Sequence, residues 1–142
     1  MRIIFLNREN VLQKYVSLRY AMKSRKWKTT SPGAGTPKLA VDIDDMLKRI
    51  SDMEEKKKDF ERFRDEYAGP KLVIRYSGYF RDQASMDRFN RKILELLEVR
   101  DLPLKSKHRK ILPKRFEDKI ENYDEVRHAL TSIGREKYLD DR

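Results

Sequence analysis

One arginine and one serine near the start of the chain have the residue types and the spacing to bind a phosphate group. Arg8 follows a continuous apolar run, Ile3 to Leu6, which predicts a strand buried on both faces of a parallel sheet. Ligands collect at the carboxyl ends of such strands, where loop amides and helix N-termini favour anions. The planar guanidinium of Arg8 can bind a phosphate there through two parallel hydrogen bonds.

Ser17 lies on the helix that the sequence predicts after this strand. Asn10 and Gln13 have the spacing of a capping box, and apolar residues follow at helical spacing. Ser17 is two turns into this helix, about 10 Å along the axis from Asn10, on the face that also carries Asn10 and Lys14. Its hydroxyl and the Arg8 guanidinium can therefore converge on one phosphate. The alternative is that Ser17 bonds a carbonyl of its own helix and that Arg8 is a solvated strand end.

Strands and helices alternate along the rest of the chain. A run rich in proline and glycine, from Lys28 to Lys38, predicts a mobile loop. Two strands joined through helices predict a right-handed parallel crossover in one α/β domain, residues 1–142. The other predicted segments are a helix from Asp42 to Tyr67, a strand from Lys71 to Tyr76, a helix from about Gln83 to Val99, a basic connection from Leu102 to Pro113 and a helix from about Arg115 to Leu130.

Two strands make a poor sheet, because both outer edges expose unpaired backbone groups. We therefore expect further strands from another chain or an upstream segment, or helices that close over the edges. The sequence alone does not decide between these two arrangements.

Composition limits the chemistry that the chain can carry. Its 142 residues are 38% hydrophobic and 41% charged, and the formal net charge of +10 favours anionic partners. The absence of cysteine excludes disulfides and thiolate metal sites, and His108 and His128 lack the spacing of metal ligands, so we expect no metal. No apolar run approaches the ~20 residues of a membrane span, and we expect a cytoplasmic protein without membrane contact.

Two segments of the chain are similar to one enzyme family. The segment RIIFLNRENVLQKYVSLRYAMKSRKW, residues 2–27, resembles the 3′-phosphate-binding segment of sulfotransferases that use 3′-phosphoadenosine 5′-phosphosulfate (PAPS). The resemblance is closest to the bacterial carbohydrate type related to Nod-factor and trehalose sulfotransferases. The segment SKHRKILPKRFEDKIENYDEVRHAL, residues 106–130, resembles the family's C-terminal region, in which a lysine precedes a turn with proline and a helix carrying Ile-Glu-Asn-Tyr.

The resemblance implies a partial P-loop-type parallel sheet with several long helices. It implies PAPS or adenosine 3′,5′-bisphosphate as the co-substrate and a carbohydrate-type hydroxyl as the acceptor. It assigns Arg8, Ser17 and Lys110 to nucleotide binding, with Arg8 and Ser17 on the 3′-phosphate. It leaves the catalytic base unknown.

The chain departs from the family pattern in two places. Where the family usually has Tyr-Glu-Asp-Leu after the second strand, this chain has Tyr76-Ser77-Gly78-Tyr79. Family enzymes hold the 5′-phosphosulfate largely with an N-terminal strand and phosphate loop, and nothing here has the glycine-lysine spacing of such a loop. The resemblance therefore implies a truncated or split unit, inactive alone, that is completed by a missing N-terminal half or by homo-oligomer formation.

Two other classes of function compete with this interpretation. A basic nucleic-acid-binding protein fits the net charge together with seven tyrosines and six phenylalanines. Against it, most aromatic residues lie on predicted core stripes, and only Tyr20, Trp27, Tyr76 and Tyr79 are expected to face a ligand. An oligomerising scaffold could use the long second helix, but Lys57 and Arg64 interrupt the heptad seam.

Overall fold

A computed structural model of the chain describes residues 1–25, 37–100, 102–104 and 115–140. The described part is of mixed α/β class, mostly helical, with one two-stranded parallel sheet. This confirms the predicted α/β class and the parallel pairing. In chain order the elements are β1 (Ile3–Asn7), α1 (Val11–Ser24), α2 (Ile43–Glu66), β2 (Lys71–Arg75), α3 (Tyr76–Tyr79), α4 (Gln83–Leu97), α5 (Phe116–Lys119), α6 (Tyr123–Ser132) and a final 3-10 helix (Glu136–Leu139).

The chain divides into two compact units. The first comprises residues 1–9 and 56–106, and therefore contains the sheet, the C-terminal part of α2, α3 and α4. The second comprises residues 10–55 and 107–142, and contains α1, the N-terminal part of α2, α5, α6 and the 3-10 helix. Most of the predicted Pro/Gly-rich loop and of the predicted basic connection lies outside the described residues.

The sheet of the first unit is buried on one side of β1 only. β1 and β2 pair in parallel from Ile3 opposite Lys71 to Asn7 opposite Arg75. Phe5 is buried, and its ring makes edge contacts with three aromatic rings of the α2 end and the following turn, Phe60, Phe63 and Tyr67, at 5.6 to 6.3 Å.

The prediction that β1 is buried on both faces is wrong. Ile4 is 37% exposed and Leu6 is 55% exposed. The physical reason is that successive side chains point to opposite faces of the strand: the face that carries Phe5 packs on aromatic rings of α2, whereas the face that carries Ile4 and Leu6 is left exposed. A continuous apolar run does not show whether other elements pack over both faces of the sheet.

The second unit contains the larger core, to which α1 contributes. This helix begins at its predicted cap. The Asn10 side chain accepts a hydrogen bond from the Gln13 amide at 3.0 Å, which confirms the predicted N-cap. The Asn10 amide group also donates to the carbonyls of Tyr138 and Asp140, each at 2.9 Å. The buried core residues of this unit are Val11, Leu12, Tyr15, Val16, Leu39, Val41, Met46, Ile50, Phe116, Ile120, Val126, Leu130 and Tyr138.

The predicted continuous helix from Arg115 to Leu130 is wrong, because the chain is extended between α5 and α6. Ile120 forms a parallel bridge with Leu39, in which the Leu39 amide donates to the Lys119 carbonyl at 2.8 Å and the Glu121 amide donates to the Leu39 carbonyl at 3.0 Å. These tertiary hydrogen bonds replace helical ones. Apolar residues on both sides of the break keep helical spacing, which is why periodicity did not reveal it.

Asn122 holds this break in place, and its replacement by alanine should lower the free energy of unfolding by about 2 kcal/mol. Its side chain accepts from the Val41 amide and donates to the Val41 carbonyl, both at 2.9 Å, so it pairs with Val41 as a strand residue would. Urea unfolding of Asn122→Ala tests the prediction. Ser132→Ala is the matched control, because the exposed Ser132 hydroxyl bonds only its own helix. Equal midpoints for the two variants would contradict the prediction.

Candidate functional site

The carboxyl ends of β1 and β2 carry two cations, one carboxylate and one aromatic ring. Because the strands are parallel, both end at the same edge of the sheet. Arg8 and Glu9 follow β1, while Arg75 ends β2 and Tyr76 follows it. We call these four residues the carboxyl edge. All four belong to the first compact unit.

The two guanidinium groups of the carboxyl edge make different contacts. The Arg8 guanidinium carbon lies 4.6 Å from the centre of the Tyr76 ring, a cation–π contact. Arg75 Nε lies 3.3 Å from Glu9 Oε1, and the Arg75 side chain is 74% exposed. Arg8 is therefore oriented by an aromatic ring, whereas Arg75 is an exposed cation in a weak surface ion pair.

A cluster of aromatic residues supports Tyr76. Tyr76 begins the short helix α3, and its ring lies 4.6 Å from that of Phe80, which in turn lies 4.7 Å from the ring of Tyr79. The Tyr79 hydroxyl donates to Oδ1 of the buried Asn90 at 2.7 Å, which ties α3 to α4. The segment that departs from the family pattern is therefore a packed helical turn. The prediction that β2 extends to Tyr76 is wrong by this one residue.

The carboxyl edge can bind an anion but offers little acid–base chemistry. A guanidinium binds a phosphate through two in-plane N–H groups, and a cation–π contact with an aromatic ring is compatible with such bonds. Glu9 is the one carboxylate of the carboxyl edge, and Arg75 lies beside it. Among residues 1–25, 37–100, 102–104 and 115–140, no group of three or more histidine, cysteine, aspartate or glutamate side chains has a metal-binding arrangement.

The structure places two of the three predicted site residues. Arg8 lies immediately after β1, as predicted, and is half-buried. Ser17 lies in α1, is half-buried, and belongs to the second unit. Lys110 lies outside the described residues. The convergence of Arg8 and Ser17 on one phosphate stays a prediction.

The aromatic residues expected to face a ligand are mostly engaged within the protein. Tyr20 is only 8% exposed, so that expectation is wrong for Tyr20, because it lies on the buried side of α1. Tyr76 stacks on Arg8, and Tyr79 is hydrogen-bonded to Asn90. Trp27 lies outside the described residues. Tyr76 and Tyr79 are both half-buried and are held in place by these contacts.

Helices of the second unit are connected by two groups, each made of a tyrosine, a carboxylate and an arginine. The sequence did not predict either group. The Tyr15 hydroxyl donates to Asp45 at 2.9 Å, and the Tyr138 hydroxyl donates to Glu54 at 2.7 Å. Burial, reinforced by the neighbouring carboxylate, raises the pKa of Tyr15 and that of Tyr138 to about 12. The hydrogen bond from Tyr15 is the main cause that lowers the pKa of Asp45.

Glu54 is the more enclosed of the two carboxylates. Arg135 donates to it through Nε and a terminal nitrogen at 2.9 to 3.0 Å, and these bonds are the main cause that lowers the Glu54 pKa. Both carboxylates are thus held ionised as acceptors between helices. This favours a structural role over that of a general base, which needs a pKa near the working pH.

Glu54→Gln should lower the free energy of unfolding at neutral pH by about 1 kcal/mol, since a neutral amide accepts more weakly from Arg135. The folded-state pKa of Glu54 is below its ordinary 4.5, so the contribution is complete above that value and is lost as the pH falls through the folded-state pKa. Urea unfolding at pH 7 and pH 3 should show the difference from wild type shrinking in acid. Asp124→Asn, which breaks the exposed Asp124–Arg127 pair, should show little difference at either pH.

Comparison with protein-family models, with curated proteins and with solved structures finds no match. Within the described ranges, no helix is both long and apolar enough to cross a membrane. The carboxyl edge and the resemblance of the two sequence segments are therefore the grounds on which a function can be proposed.

Proposed function

We propose that the chain binds the 3′-phosphate of adenosine 3′,5′-bisphosphate, or of PAPS, at the carboxyl edge, as part of a sulfotransferase-like site. The observation that carries the proposal is the position of Arg8. It lies at the carboxyl end of a parallel strand, where anions bind in open α/β sheets, and its guanidinium is oriented by the Tyr76 ring. The resemblance of residues 2–27 to the family's 3′-phosphate segment supports the same position.

Charge at the carboxyl edge supports an anionic ligand. Arg8 and Arg75 carry two positive charges against the one negative charge of Glu9. A doubly charged phosphate bound by Arg8 is favoured by this excess of positive charge, because the bond to the guanidinium is charge-assisted.

Sulfuryl transfer to a carbohydrate hydroxyl forms part of the proposal only in combination with groups from elsewhere. The reaction needs donors around the 5′-phosphosulfate and a base that takes the acceptor proton. Within the carboxyl edge, Arg8 is assigned to the 3′-phosphate, and Arg75 and Glu9 pair with each other. We propose that a complementing polypeptide segment supplies both, and that the 142 residues alone bind nucleotide without turnover.

Calorimetric titration and thermal unfolding test the proposal. Adenosine 3′,5′-bisphosphate should bind and should raise the melting temperature, because a ligand that binds only the folded state stabilises it. Adenosine 5′-monophosphate should bind at least about tenfold more weakly, since it lacks the 3′-phosphate and its charge-assisted bonds. Pyrophosphate controls for charge alone. Equal affinity for all three compounds, or RNA retention without nucleotide binding, would overturn the proposal.

A further inference from the structure

The two outer edges of the sheet are built differently. The Ile3 amide donates to the Pro70 carbonyl at 3.1 Å, so the backbone groups of Ile3 are directed at β2. Because successive residues of a strand direct these groups to opposite sides, the N–H and C=O groups of Ile4 and Leu6 are directed outward. By the same alternation, the outward groups of β2 belong to Lys71, Val73 and Arg75.

The outer edge of β2 carries charged residues, which natural edge strands use to prevent pairing with a further strand, and the outer edge of β1 does not. Lys71 and Arg75 flank Val73 on the outer edge of β2, and long cationic side chains at an edge discourage further pairing. On β1 the outward residues are Ile4 and Leu6, which are apolar and 37% and 55% exposed. Among the described residues, β1 has β2 as its only strand neighbour. The outer edge of β1 is thus the one that is open to another strand.

The charges of Arg2 and Arg8 limit which kind of strand can pair with the outer edge of β1. Side chains alternate between the two faces of a strand, so Arg2 and Arg8 flank the Ile4–Leu6 pair at the same two-residue spacing. If β1 of a second copy paired antiparallel with this edge, centred on Phe5, Arg2 of each copy would lie opposite Arg8 of the other. If the two β1 strands paired in parallel and in register, Arg2 would lie opposite Arg2, and Arg8 opposite Arg8. Like charges directly opposite one another destabilise a pair of strands.

We propose that the outer edge of β1 binds an extended segment of another protein chain, apolar in its middle and acidic at both ends. The segment would form backbone hydrogen bonds with Ile4 and Leu6 and would pack its own side chains beside theirs. One acidic end would lie near Arg8, and the other would compete with the exposed Glu98, which pairs with Arg2 in this structure. This binding mode is β-strand addition, in which the backbone supplies affinity and alternate side chains supply specificity. The inference does not rest on the proposed nucleotide function.

The test uses the full chain without nucleotide and a labelled peptide, Glu-Thr-Val-Thr-Ile-Thr-Glu, whose symmetric pattern suits either strand direction. Fluorescence anisotropy should give a Kd on the order of 100 μM at low salt. The same peptide with lysine at both ends should bind at least about tenfold more weakly, since it repeats the like-charge arrangement. N-methylation of every peptide amide should abolish binding, because it removes the N–H donors and keeps the side chains.

Two matched variants of the chain locate the binding edge. Leu6→Thr should weaken binding of the acidic peptide about tenfold, because it removes apolar contact area and keeps strand propensity. Val73→Thr should leave binding unchanged, although Val73 is 41% exposed on the same sheet. The proposal is overturned by no saturable binding up to about 1 mM, by equal binding of the acidic and basic peptides, or by unchanged binding to Leu6→Thr. It is also overturned if sedimentation shows a dimer that Leu6→Thr dissociates, since the occupant is then a second copy.

Discussion

Phe116→Ala should lower the free energy of unfolding by about 3–5 kcal/mol, the usual cost of removing a fully buried phenylalanine ring. Phe116 is 0% exposed and lies in the core of the second unit, where the Lys119 ammonium is 4.6 Å from its ring centre. The variant loses the apolar contacts of the ring and leaves a cavity between helices. Urea unfolding followed by circular dichroism measures the loss.

Phe63→Ala is the control for this prediction, because it removes the same ring from a position that is 52% exposed. Phe63 contacts Phe5 at 5.8 Å, so a small loss is expected, well below that of Phe116→Ala. A loss for Phe116→Ala no larger than that for Phe63→Ala would show that the second unit is not organised around this ring.

Local features of the fold could be predicted from the sequence because they depend on neighbouring residues. The Asn10 cap is defined by the amide three residues later, and α2 is defined by helical periodicity that a glycine and a proline end. The break after α5 could not be predicted in this way. It depends on Leu39, which lies about 80 residues earlier in the chain and offers Ile120 a backbone partner that competes with the helix.

The candidate site could likewise be predicted only in part. The position of Arg8 at the end of a parallel strand followed from the apolar run before it. Its stacking on Tyr76 did not, because the contact depends on the register of β1 and β2 and on the turn that places Tyr76 in α3. Likewise Glu54 looks like any charged residue of a solvated helix until Arg135 and Tyr138 are brought to it. Only tertiary structure reveals that pairing.

Arg8→Ala should weaken binding of adenosine 3′,5′-bisphosphate roughly 10- to 100-fold, because losing one charge-assisted contact costs about 1.5–3 kcal/mol. The affinity of Arg8→Lys should lie between that of Arg8→Ala and that of wild type, since an ammonium keeps the charge and loses the planar pair of donors. Ser17→Ala tests the predicted hydroxyl contact, and the loss of a neutral hydrogen bond costs less than the loss of a charged one. Calorimetric titration at fixed salt measures all three variants.

Two further variants separate a specific phosphate site from general attraction to a basic chain. Arg88→Ala removes the same charge and a similar stacking contact, since the Arg88 guanidinium lies 5.5 Å from the centre of the Phe89 ring on α4, outside the carboxyl edge. Arg88→Ala should bind adenosine 3′,5′-bisphosphate as tightly as wild type does. Glu9→Gln should bind more tightly, because it removes a negative charge and the ion-pair partner of Arg75. If Arg8→Ala and Arg88→Ala weaken binding equally, net charge alone attracts the nucleotide. If Arg8→Ala and wild type give the same titration curve, the carboxyl edge is not the phosphate site.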